Sequence, residues 1–126
     1  MMLNDFFARS EFACRCSYNC RQSRDPTVDV VLLEVLTKVR THFKKPVIIT
    51  SGQRCPKHNE DVGGYPNSRH LYGQAADIWL PDVPALDVAE YLIRCYPDTL
   101  GIGQYNTFTH IDSRLRRTTW GPDAGN

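Results

Sequence analysis

Long apolar runs are missing from this chain. No stretch approaches the roughly twenty consecutive apolar residues of a membrane-spanning helix, so no such helix and no membrane partner is expected. An excess of one charge is missing too. Lys and Arg number 15 against 14 Asp and Glu, a formal net charge of +1, which leaves no electrostatic case for nucleic acid or an anionic surface. There is no internal repeat and no low-complexity tract, so a solenoid is excluded. The opening MMLNDFFARSEF lacks a basic n-region, an apolar core and a small-residue cleavage site. It does not read as a signal peptide; synthesis in the cytoplasm is expected, with any work outside it needing another export route. The 5 cysteines make an odd count, which argues against a complete disulfide framework.

What is present fits one domain over 1–126, with a cysteine-containing segment over 1–25, a frayed tail over 121–126 and a monomeric state as the default. Asp25-Pro26 signals a helix start. From Thr27 to Phe43 the positions Val28, Val31, Leu32, Val35, Leu36, Val39 and Phe43 recur at helical spacing. After Pro46 the run PVIIT reads as a buried strand. A long loop follows, SGQRCPKHNEDVGGYPNS, of the kind that is usually functional or disordered. Ala75 to Leu80 reads as a strand stopped by Pro81. A second helix is expected from Pro84 to about Tyr96, with Leu86, Ala89, Leu92, Ile93 and Tyr96 inward. GIGQYNTFTHIDSR reads as a hairpin turning near Asn106-Thr107. The sum is an α+β fold with flanking helices on a small, mainly antiparallel sheet.

The stretch SRHLYGQAADIWL places His70 and Asp77 around a glycine at a strand start. A strand period of two puts Asp77 with Ala75 and Trp79, and His110 with Phe108 and Asp112. If the two strands are neighbours, Asp77 and His110 converge and His70 closes over them, with Gly73 making the sharp turn between. Two imidazoles and a carboxylate suit Zn²⁺ and leave a coordination position open, as catalytic zinc requires. His110-Ile111-Asp112 also begins the two-histidine, one-carboxylate iron set of oxygenases, but no histidine follows to complete it. His42 and His58 read as ordinary surface or hydrogen-bonded histidines. Cys14, Cys16 and Cys20 cluster and, with Cys55, invite a zinc reading. Their spacing is not the paired C-x-x-C of structural zinc, and buried thiols are the expectation.

SGQRC, Asn59, VGG, SRHLYGQAADI and the final FTHIDSR, in that order, resemble the zinc D-Ala-D-Ala carboxypeptidase family of peptidoglycan peptidases. The wider superfamily includes L-Ala-D-Glu endopeptidases of phages and, more distantly, the hedgehog signalling domain. The resemblance implies that His70, Asp77 and His110 bind one catalytic zinc. It implies that Arg54 anchors a carboxylate of the stem peptide and that Ser68 sits by the first ligand or simply makes a turn. Where some members carry an acidic base before the last ligand, Tyr105, Asn106 and Thr107 stand here. Asp112 is then the expected general base, unless Asp112 touches the metal and His110 serves the transition state. Tyr65, Tyr72, Trp79 and Tyr105 are candidate pocket walls. The implied function is zinc-dependent hydrolysis of peptidoglycan stem peptides, as carboxypeptidase or endopeptidase, fitting a phage or prophage endolysin or a chromosomal peptidase. The alternative is a zinc-containing binding module of the same fold that does not hydrolyse.

Overall fold

The computed structural model describes residues 1–121, so the tail expected to fray lies, past Gly121, outside the described residues. The first long helix, α2 (Val30–Phe43), follows a one-turn helix α1 (Arg21–Arg24) and begins later than Asp25-Pro26 suggested. Asp29 is its cap: its carboxylate accepts from the Leu32 N–H at 3.0 Å, satisfying a donor that the first turn leaves orphaned. Leu32, Val35, Leu36 and Val39 form its buried stripe, while Val31 stays 45% exposed, off the face predicted for it. Lys44, in the left-handed region at φ 56°, ends the helix before Pro46.

The strands are β1 (Ile48–Ser51), β2 (Ala75–Trp79), β3 (Gly101–Gln104), β4 (Thr109–Asp112) and β5 (Thr118–Trp120). They form one mixed sheet in the order β1-β2-β4-β3-β5, antiparallel except for the β3–β5 pair. The expected hairpin is β3–β4, closed by the Tyr105 N–H donating to the Phe108 carbonyl at 3.0 Å around Asn106-Thr107. β5 was not foreseen. Three residues at the sheet edge carry too little periodicity to be read as a strand.

The long loop after β1 is not structureless. It contains α3 (Pro56–Asp61), with Pro56 at the first helical position and Cys55 as its cap, a start signal that the absence of an apolar stripe obscured. The other long helix, α4 (Ala85–Cys95), buries Val88, Ala89, Tyr91 and Leu92. Leu86, predicted inward, is 45% exposed. One face of the central strands, through Ala76, Ile78, Ile102 and Ile111, joins the stripes of α2 and α4 in the core. Asp77, His110 and Asp112 alternate onto the other face. Among the described residues no helix is long and apolar enough to cross a membrane.

Candidate metal centre

β2 and β4 are neighbours, and their register sets Asp77 opposite His110 and Ala75 opposite Asp112. His70 arrives on a 3-10 turn, Arg69–Tyr72, capped at its start by the Ser68 hydroxyl, which accepts from the His70 N–H at 3.2 Å. Gly73 ends that turn at φ 71°, and a Cβ there would lie 2.3 Å from the Thr27 carbonyl oxygen. Only glycine meets both demands. One donor atom from each of His70, Asp77 and His110 lies within 4.8 Å of the others, all three residues being buried.

Their hydrogen-bond partners fix the tautomers. His70 Nδ1 is 2.7 Å from the Gly52 carbonyl oxygen, an acceptor, so Nδ1 carries the proton and Nε2 offers a lone pair. That Nε2 faces Asp77 Oδ1 at 3.2 Å. His110 Nε2 donates to Asp112 Oδ2 at 2.8 Å, so in the neutral ring Nδ1 offers its lone pair to the same Asp77 Oδ1, 3.0 Å away. With both rings neutral, three acceptors converge on one point, an arrangement that suits a cation among them. Ligands about 2.0 Å from a tetrahedral zinc stand about 3.3 Å apart, close to both separations. The donors therefore fit Zn²⁺, the cofactor suited to this mixed nitrogen and oxygen set.

The environment holds these roles. Burial lowers the His70 pKa, keeping the ring neutral and able to ligate. Burial also opposes charge on His110, but hydrogen bonds to Asp112 and Asp77 outweigh it and raise the pKa. The Asp77 and Asp112 carboxyls are held well below the usual carboxylate range; burial works the other way, and the hydrogen bonds from the histidines, with Arg114 at Asp112, prevail. Arg54, predicted to reach substrate, is 5% exposed. Its guanidinium donates to Ser51 Oγ at 3.2 Å, Asn59 Oδ1 at 3.1 Å and Asp77 Oδ2 at 3.4 Å. Asp112 lies behind the His110 ring, held by both Nε and Nη2 of Arg114 at 2.8 Å and by the Gly101 N–H at 3.1 Å.

Several site residues were given no role by the sequence, although Gly52, Asn59 and Arg114 lie within the stretches that carry the resemblance. Gly52 lends a carbonyl, Asn59 holds Arg54, and Arg114 holds Asp112. Gly101 and Gly103 leave the floor open: a Cβ at Gly101 would sit 2.3 Å from Asp112 Oδ2, and one at Gly103 2.3 Å from Trp120 Nε1. The Trp120 ring lies 5.1 Å from that of His110, and its Nε1–H donates to the Tyr105 hydroxyl at 3.0 Å. Of the predicted walls, Tyr65 and Tyr72 are largely exposed. Trp79, with Thr50, Thr107 and Phe108, lines a groove of about 440 Å³.

A family model described as peptidase M15 matches residues 5–112, which include all three convergent ligands. The chain belongs to the peptidase M15 family. Over 34 residues this M15 chain is 50% identical to the zinc D-Ala-D-Ala carboxypeptidase of Streptomyces albus G, a stretch that covers 27% of the chain and 13% of that relative's length. Trp120 and β5 lie beyond the matched residues of the M15 chain, although the indole borders its metal centre.

Proposed function

We propose that this chain is a zinc metallopeptidase that hydrolyses a peptide bond in the stem peptides of bacterial peptidoglycan. The observation that carries the reading is the convergence of one ligand atom each from His70, Asp77 and His110, with His70 Nε2 and His110 Nδ1 both facing Asp77 Oδ1. Zinc supplies Lewis acidity there, acidifying water and polarising a carbonyl. The name of the Streptomyces relative supports D-Ala-D-Ala as the bond class. The groove beside Trp79 is where a stem peptide would lie. Action on the wall follows release or export of the chain, as in a phage or prophage lysis enzyme.

The residues behind the ligands do the orienting. Arg54 occupies Asp77 Oδ2 and so turns Oδ1 towards the imidazoles; its charge also favours an anionic substrate close by. Asp112 fixes the tautomer and tilt of His110, the part a carboxylate commonly plays behind a ligating histidine. The geometry supports that part for Asp112 over the proton transfer expected of it, because both its oxygens already accept from Arg114, His110 or Gly101. Asp112→Asn separates the two roles. A positioning role predicts a fall of about 10–100-fold in zinc affinity or activity, read by competition with a chromophoric chelator. A proton shuttle predicts unchanged zinc affinity with a rate loss of about 10²–10⁴.

The commitment of both acids at the centre also favours a second reading, a zinc-containing binding module without hydrolysis. One experiment decides between them. Protein stripped by a chelator and reloaded with zinc is incubated with isolated peptidoglycan, and new amino groups and free D-Ala are followed. Release by the loaded protein alone is the expected result. Free D-Ala identifies a carboxypeptidase, and amino groups without it an endopeptidase. Bound zinc with no release from any wall preparation would leave the binding module.

A further inference from the structure

The cysteines do not behave as separate buried thiols. Cys14 and Cys55 are buried but Cys16 and Cys20 are only half-buried, and all four sulfurs lie within 4.8 Å of one another. Neither Cys14 nor Cys55 belongs to the apolar core between the sheet and the helices, so filling that core does not explain them. We propose that Cys14, Cys16, Cys20 and Cys55 hold a second, structural zinc ion, which clamps the N-terminal segment to the loop that carries Arg54.

The geometry suits a single ion. Four sulfurs about 2.3 Å from a tetrahedral zinc stand about 3.8 Å apart; here Cys16 and Cys20 are 3.4 Å apart and all four lie within 4.8 Å. Closure of the loop between that pair uses Asn19 in the left-handed region at φ 51°, a conformation asparagine tolerates. The sulfurs also accept hydrogen bonds: the Cys55 N–H donates to Cys14 Sγ at 3.3 Å and the His58 N–H to Cys55 Sγ at 3.4 Å. A thiol is a weak acceptor, whereas a thiolate ligand is stabilised by such donors. Sulfur-only tetrahedral surroundings select zinc or iron–sulfur centres, and four sulfurs about one point suit a lone zinc. A closed set of four protein ligands leaves no position for substrate, which makes the ion structural.

Other contacts follow the same seam. The Tyr18 hydroxyl donates to Asp61, and the Lys57 ammonium lies 5.6 Å from the Tyr18 ring centre. Cys55 directly follows Arg54, so the clamp fixes the backbone from which the guanidinium reaches Asp77. The inference stands on the thiols alone and does not rest on the peptidase reading.

The test counts ions in the full chain and in variants. Wild type is expected to bind two zinc ions per chain, His70→Ala one, and the double variant Cys16→Ser with Cys20→Ser one. Cobalt loaded into His70→Ala should give a thiolate-to-metal charge-transfer band. Should the serine variant fail to fold, that spectrum decides by itself. His70→Ala protein with no bound ion and 5 reactive thiols, or with a Cys16–Cys20 disulfide in place of the ion, would overturn the proposal. One ion in wild type that His70→Ala removes would sink this site and keep the peptidase reading. One ion that survives His70→Ala and is lost in the serine variant would do the reverse.

Discussion

Asp77→Ala is expected to remove one zinc ion per chain, abolish hydrolysis and weaken the fold in a single step. Asp77 Oδ1 is the atom both imidazoles face, and Oδ2 is the partner of Arg54. Truncation leaves a guanidinium that is 5% exposed without its counter-charge, and a buried charge stripped of its partner costs about 3–5 kcal/mol. Denaturant unfolding measures that loss, and elemental analysis measures the ion. Asp77→Asn separates the effects. The amide keeps the shape and an oxygen for Arg54 but lacks the negative charge, so only part of the lost stability should return, while zinc binding stays weakened. Full zinc occupancy and activity in Asp77→Ala would remove Asp77 from the centre.

The second large effect is expected at Gly101→Ala. The added Cβ would lie 2.3 and 2.5 Å from the two oxygens of Asp112, and that carboxylate cannot retreat, being fully buried and held by Arg114 and His110. Overpacking costs about 1–3 kcal/mol, and breaking the buried ion pairs adds to it. Loss of several kcal/mol, or a folded chain without zinc at His110, is the outcome foreseen. Gly103→Ala is the control from the same strand. Its Cβ meets the indole of Trp120 at 2.3 Å, but that side chain is only half-buried on the three-residue edge strand and can swing away. A smaller penalty is expected there. Equal penalties at the two glycines would mean that Asp112 is not fixed as described.

The α+β class, the two long helices and the β3–β4 hairpin were legible because their signals are local: spacing, prolines and turn residues. The convergence of Asp77 with His110 was legible as well, since a period of two on neighbouring strands sends both to one face. Helix faces were less so. Val31 and Leu86 fit the apolar spacing but lie at the margins of their stripes, where tertiary packing decides what is covered. The α3 helix was hidden by its polarity, and β5 by its length. The role of Asp112 could not be read from H-x-D, because it depends on Arg114 and Gly101, which close around the carboxylate only in three dimensions. The thiols were legible in part: Cys55 could be named as a fourth sulfur beside Cys14, Cys16 and Cys20, but their spacing does not show that the four converge on one point.

The separation of 33 residues between Asp77 and His110 has a kinetic consequence. β4 lies between β2 and β3, so the pocket is assembled only when the β3–β4 hairpin has docked on β2, a non-local pairing that forms slowly. Zinc at this centre then has little to hold until the central sheet is complete. An interaction absent from the transition state slows unfolding without hastening folding. The ion acts as a latch on a finished structure, and it lengthens the life of the folded chain more than it shortens the search for it.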